Sequence, residues 1–190
     1  MISNKSYLTK VNVATMSTED GRRFRRALGE FATGVAIVTA RTPSREALGM
    51  TVSSFNSVSI DPPLILFSVD RKALSLPALQ QASGYAVNIL GQHQARLASR
   101  FARAGADKWS MVDHVEGLAA APLIKGALVH FECMPYAAYD GGDHVIFVGR
   151  VVRYTTHAQQ PTPLVFFRGC FQELTPAEQP ALEWPLPMHY

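Results

Sequence analysis

The period of hydrophobic and polar positions changes several times along the chain, and each change marks an element. Phe24, Ala27, Leu28 and Phe31 recur at helical spacing behind Ser17-Thr18-Glu19-Asp20, a capping-box signature. Residues 18–32 are therefore predicted to form an amphipathic helix with Phe24 and Leu28 in the core, and Gly34 stands where a C-cap glycine belongs. The β-branched run 35–40 reads as a buried strand, and 41–46, with its Thr-Pro-Ser, as a turn. Small polar residues mixed with hydrophobes make 48–59 a strand, which ends where Pro62 and Pro63 force extension. Residues 64–69 form a second buried strand. Ser75, ahead of Leu76-Pro77, starts a short helix, and 84–90 is again a strand. Leu97, Ala98 and Phe101 place a helix on 92–104 that closes at Gly105, followed by an irregular stretch over 106–125. Residues 126–139, 143–155 and 164–171 read as three further strands, the first two joined by a hairpin turn at Asp140-Gly141-Gly142.

Six or seven strands with a few short helices do not alternate as a doubly wound parallel sheet would. A mainly β protein is predicted, a closed antiparallel barrel with peripheral helices. No G-x-G-x-x-G follows a first strand, so a dinucleotide would not be held in the Rossmann manner. The 190 residues suit one domain, expected at 17–174 between an extension at 1–16 and a Pro-rich tail at 175–190.

Composition narrows the class. With 47% hydrophobic and 17% charged residues the chain reads as an ordinary globular protein, not a disordered one. No apolar run is long enough for a membrane span, and no apolar block follows the N-terminal lysines as in a signal peptide. A cytoplasmic protein is expected, with Cys133 and Cys170 as buried free thiols. The net charge of +3 is mild. Arg22, Arg23, Arg25 and Arg26 flank residues with a core character, so they read as a solvated helix face. Neither a nucleic-acid nor a membrane partner is expected.

The sequence carries no Cys/His cluster, no G-x-S-x-G and no H-E-x-x-H, and its six histidines are scattered, so no metal is expected. What it offers is a patch of small residues: Gly49, Thr51, Ser53, Ser54 and Ser57. Strand alternation puts Thr51 and Ser53 on one face and Ser54 on the other. Such hydroxyls either satisfy local backbone groups or, with backbone donors, meet the polar edge of a flavin ring. Ser75 at a helix start, and Arg100, are candidates for its phosphate. His144, after Gly141-Gly142, is either a hairpin histidine or a group at the barrel mouth facing a nicotinamide.

In their order and spacing, FRRALGEFATGVAIVTA (24–40), LGMTVSSFNSVSIDPPLILFSVDR (48–71), SGYAVNIL (83–90), LASRFA (97–102), GGDHVIFVGRV (141–151) and PLVFFRG (163–169) resemble the flavin reductase family with the FMN-binding split-barrel fold. The likeness spans roughly residues 20–174 and is narrowest to the short-chain NAD(P)H:flavin reductases of two-component flavin-dependent monooxygenases. It implies an antiparallel, Greek-key split barrel. It implies a site for FMN or FAD at Leu48, Gly49, Met50, Thr51, Ser53, Ser54, Ser68, Val69, Asp70, Leu74, Ser75, Arg100 and Phe101. His144, Phe166, Phe167, Arg168 and Gly169 match positions that approach the nicotinamide nucleotide, NADH or NADPH. His144 is expected to position or to stabilise charge, not to serve as an obligatory base. The resemblance also implies a homodimer with flavin sites near the subunit interface, and a monooxygenase component that receives reduced flavin. Two other readings share the barrel: a non-catalytic flavin carrier or redox sensor, and an enzyme that retains FMN to reduce another substrate.

Overall fold

Residues 17–105, 107–157 and 162–174 are described by a computed structural model; the expected extension at 1–16 and tail at 175–190 lie outside them. The chain opens with α1 (Thr18–Leu28), whose capping box is formed as predicted. Ser17 Oγ accepts from the Asp20 N–H, and the Asp20 carboxylate accepts from the Ser17 N–H, both at 3.1 Å. The helix is shorter than predicted and is capped by Gly29. Gly34 instead lies in β1 (Thr33–Gly34), a two-residue strand. Nor does the apolar face of α1 enter the core. Phe24, Leu28 and Phe31 are 49%, 57% and 77% exposed. Helical periodicity shows that a face seeks a partner, and among the described residues none covers this one.

Seven strands form the main sheet: β2 (Ala36–Arg41), β3 (Ala47–Val52), β4 (Asn56–Ser59), β5 (Leu64–Asp70), β6 (Tyr85–Ile89), β9 (Val129–Gly141) and β10 (His144–Thr156). Their order is β3-β2-β6-β9-β10-β5-β4, every pair antiparallel. The two edge strands, β3 and β4, are consecutive in the chain and joined by only Ser53-Ser54-Phe55. Three residues cannot span a flat seven-stranded sheet, since strands lie about 4.8 Å apart. The sheet therefore curls until its edges meet at this corner, giving a barrel with a seam that no strand ladder closes.

Alternation fills the barrel. Ala36, Val38, Ile65, Phe67, Val69, Tyr85, Val87, Val145 and Phe147 point into the lumen, where the Phe67 and Phe147 rings stack at 5.3 Å. Ile37 of β2, with Val35 just before the strand, faces a second cluster under α3 (Ala95–Phe101) with Leu90, Ala98, Phe101 and Leu164. The run 35–40, read as a buried strand, is buried throughout, Thr39 included, so β2 is covered on both faces.

Several expected elements are subdivided. The strand read at 48–59 breaks into β3 and β4 at the seam corner. The helix read at 92–104 is a 3-10 turn at Gln92–Gln94 followed by α3. The irregular stretch holds a hairpin of β7 (His114–Glu116) and β8 (Pro122–Ile124), anchored by buried polar groups on the outer face of the barrel. Asn88 Oδ1 accepts from the Ile124 N–H at 2.8 Å, and the Thr39 hydroxyl donates to the Pro122 carbonyl at 2.5 Å. The strand read at 164–171 is β11 (Val165–Phe167) and β12 (Cys170–Gln172), turned by Arg168-Gly169 with φ of 50° and 80°. The β9–β10 turn is Gly142-Asp143, one position later than read, with Gly142 at φ 75°. A left-handed first turn residue suits glycine and matches strand twist.

Two polar features brace β9. Glu132 is 1% exposed. Burial pushes its carboxyl up, but hydrogen bonds from Arg153 at 2.5 and 2.7 Å and from the Leu118 N–H at 2.6 Å outweigh this and hold it below the ordinary value. Next to it, burial and the Glu132 charge push the Cys133 thiol up to about 12, which leaves it inert. Cys133 is buried as expected, whereas Cys170 is exposed because β12 lies on the outer edge of its three-stranded sheet. No helix among the described residues is long and apolar enough to cross a membrane.

Candidate active site

The seam positions the site. Because β3 is an edge strand, one side of its backbone has no strand partner, and the chain in front of it leaves a cleft of about 430 Å3. Leu48, Gly49, Met50 and Thr51 form the floor; Ala73, Leu74 and Ser75 form one wall; Phe101–Gly105 with Asp107–Trp109 form the other. Through Met50 and Thr51 the cleft continues into a depression of about 500 Å3 at the barrel mouth, lined by Ser53, Ser54, Ser68, Asp70 and His144. The structure thus gathers most of the residues read as flavin-binding, and His144, along one continuous groove.

Gly49 sits at the tightest point. A Cβ there would stand 2.3 Å from Phe101 Cε1, so glycine lets α3 close onto β3. The Thr51 hydroxyl donates to the Ala98 carbonyl at 2.7 Å and locks the same contact. Ser54 Oγ accepts from the Ser68 N–H at 2.9 Å and fixes the seam corner to β5. These two hydroxyls hold the scaffold, while Ser53 and Ser75 face the groove. Ser75 has Met50 Sδ at 3.8 Å as its hydrogen-bond neighbour, and it caps α2 (Leu76–Gln80), a helix of only five residues. Asp70 and His144 are paired across β5 and β10, which puts His144 at the rim. The His144 ring lies 2.7 Å from Asp143 Oδ1, and this contact holds the Asp143 carboxyl below its ordinary value.

Other expected residues are placed elsewhere. Arg100 does not line the cleft; its guanidinium donates to the Ser110 carbonyl at 2.7 Å. The Val69 side chain is fully buried in the lumen and does not line the groove. Arg168 and Gly169 line a different cavity, of about 580 Å3, with Arg25, Arg26, Gly29 and Glu30. There Arg168 makes a two-pronged pair with Glu30 and lies over the Phe167 ring, while Phe166 packs against Phe171. Within one chain the positions expected to approach the nicotinamide are therefore split between His144 at the groove and the turn beside α1.

The sequence reading did not single out Arg103, Lys108 or Trp109, which form the cleft wall after α3. They lie beyond the last helical repeat, where no period marks which side chains turn inward. The one signal is Trp109 close behind Phe101, and the two rings meet edge to face at 5.0 Å.

Residues 28–175 match the profile of the "Flavin reductase like domain" family. The chain belongs to this family. It is 45% identical over 157 residues to the FMN reductase (NADH) SmoA of Agrobacterium fabrum, covering 80% of this chain and 86% of that protein. It is 33% identical over 165 residues to HsaB, the reductase subunit of a flavin-dependent monooxygenase of Rhodococcus jostii, covering 87% of this chain and 84% of that one. Among solved structures it resembles the NADH:FAD oxidoreductase SgcE6 of Streptomyces globisporus, in complex with NAD and FAD fragments. The TM-score is 0.80 at 37% identity, over 87% of this chain and 99% of that one.

The groove of this flavin reductase domain fits a flavin. Its floor offers backbone of an edge strand for a polar ring edge, Leu48, Met50 and Leu74 for an apolar ring end, and cationic side chains on one wall for an anionic tail.

Proposed function

We propose that the protein is an NAD(P)H:flavin oxidoreductase that reduces FMN or FAD by hydride transfer and supplies reduced flavin to a partner monooxygenase. The observation that carries this reading is the open groove at the barrel seam, which brings the β3 backbone, Ser53, Ser75, Asp70 and His144 to one surface. SmoA and HsaB support the chemistry and the partner class by their names. A bound flavin supplies the hydride-accepting chemistry. The chain's own task would be positioning: the β3 backbone and the cleft walls would hold the flavin, and His144 at the rim would orient the nicotinamide. An open groove lets oxidised flavin enter and reduced flavin leave. Both cysteines are free, which suits the cytoplasm, where we place the protein.

The test is direct. Purified protein mixed with NADH and excess free FMN should consume NADH, and removing all flavin should abolish the reaction. A carrier would bind FMN and leave NADH unconsumed. An enzyme committed to another substrate would not turn over free flavin.

The active form we propose is a homodimer. The apolar face of α1 and the exposed Tyr136, Tyr139 and Tyr154 of the β9–β10 hairpin support it, since exposed apolar patches of this extent mark contact surfaces. Light scattering on the eluting protein should give twice the 20.8 kDa chain mass. A monomer mass at micromolar concentration would refute the dimer.

A further inference from the structure

The wall after α3 holds a cation that no carboxylate among the described residues neutralises. Lys108 is half-buried, and its Nζ donates to the Gly49 carbonyl at 3.2 Å and to the Phe101 carbonyl at 3.1 Å. No carboxylate among the described residues pairs with it. Its neighbour Asp107 is turned to the backbone, where Oδ1 accepts from the Trp109 and Ser110 N–H groups. An ammonium has three donors. Two are spent on carbonyls that fix the head at the rim of the cleft, leaving one for a ligand. Burial holds the amine below the usual lysine range, so this charge is partly stripped of water with no counter-ion beside it. Arg103 adds a second positive charge on the same wall, and the floor below is apolar. A cation without an anion above an apolar floor suits a flat aromatic ligand with an anionic tail.

We propose that Lys108 is the phosphate anchor of this cleft, binding the phosphate of FMN or the corresponding pyrophosphate of FAD. The inference rests on the flavin reading of the groove. It assigns the tail to the wall formed by residues 101–105 and 107–109, opposite Ser75. That wall carries net positive charge, whereas α2, with five residues, has little helix dipole to offer. It also replaces Arg100, which is committed to Ser110.

The experiment compares riboflavin, FMN and FAD binding to the flavin-stripped full chain, wild type against Lys108→Met and Lys108→Arg, by flavin fluorescence titration. Riboflavin has the ring but no phosphate. Lys108→Met should weaken FMN and FAD by about 10- to 100-fold, the loss of one charge-assisted hydrogen bond, and change riboflavin less than about twofold. Lys108→Arg should recover most of the FMN affinity, and the salt dependence of FMN binding should flatten in Lys108→Met. Equal weakening of riboflavin and FMN would overturn the inference, showing that Lys108 acts only by tying Gly49 to Phe101. Unchanged FMN binding with a raised KM for NADH would overturn it too, giving the charge to the nicotinamide nucleotide. A wild-type protein that binds none of the three flavins would refute the flavin reading itself, and the inference with it.

Discussion

Replacing Gly49 by alanine is expected to lower stability by about 2 kcal/mol and to weaken flavin binding by at least about tenfold. One methyl group has this effect because of where it would point. Its carbon would stand 2.3 and 2.5 Å from Phe101 Cε1 and Cδ1, far inside contact distance, and 3.1 Å from Trp109 Cζ2, a tight contact. The Phe101 ring cannot retreat. It is 1% exposed, packed in the cluster with Val35, Ile37, Ala98 and Leu164, and held edge to face by Trp109. Relief must come from lifting α3 off β3, which breaks the Thr51–Ala98 hydrogen bond, or from pushing the ring and Trp109 into the cleft. The first route costs stability and the second closes the flavin site. Thermal melting and a flavin titration of the same variant read the two together. Gly34→Ala is the control, since a Cβ there meets nothing within 4 Å and should shift neither. Phe101→Leu placed in the Gly49→Ala background should restore part of the lost stability, as expected of two residues in contact. A Gly49→Ala protein that melts and binds flavin like the wild type would show that the contact between β3 and α3 is loose.

The barrel was legible because its inward residues alternate strictly. The stretches that hold Phe67 with Val69 and Tyr85 with Val87 were read as strands, and the β-branched run 35–40 as a buried one. The seam was not legible. It depends on β3 and β4 lying at opposite edges of one sheet, a long-range fact that the three residues between them do not encode. That is why 48–59 read as one strand. The α1 face was read correctly as apolar and wrongly as buried, because period reports the need for a partner and not its identity. Chemistry followed the same division. Gly49, Thr51 and Ser54 were singled out as a polar patch, yet two of these hydroxyls hold the scaffold. Lys108, in a stretch without period, went unread although its half-buried ammonium is tied to two backbone carbonyls at the cleft. Arg100 was read as a phosphate candidate by its charge, and in the structure its guanidinium donates to the Ser110 carbonyl.

His144→Ala is expected to slow reduction of flavin by NADH about ten- to a hundredfold while leaving flavin affinity within about twofold. The argument begins with the turn. Gly142 takes the left-handed position that starts a two-residue hairpin, and Asp143 completes it, so His144 is the first residue of β10. Pairing with Asp70 on one side and Gly141 on the other fixes its backbone at the barrel mouth. Arg71 braces the hairpin from β5. It donates to the Gly142 carbonyl at 2.8 Å, pairs with Asp140, and its N–H reaches the Asp143 carbonyl at 2.9 Å. The Asp143 carboxylate then holds the imidazole at 2.7 Å, so the ring is restrained although its side chain is 41% exposed. A restrained ring at the rim, beside the groove and not beneath it, can orient an incoming nicotinamide without contributing to the flavin's own contacts. Hydride transfer requires the two rings to lie about 3–3.5 Å apart, and a small misplacement costs rate steeply. Anaerobic stopped-flow reduction across NADH concentrations, beside a flavin titration, separates the two roles. The positioning role gives a raised KM for NADH and a lowered limiting rate. It also gives a pH–rate profile of unchanged shape, because no proton passes through His144; an obligatory acid or base would leave a steep dependence that the variant abolishes. Asp143→Asn should show a weaker form of the same defect, since it keeps the turn and loosens the ring. Reduction kinetics of His144→Ala that match the wild type at every NADH concentration would return His144 to a turn histidine with no part in the reaction.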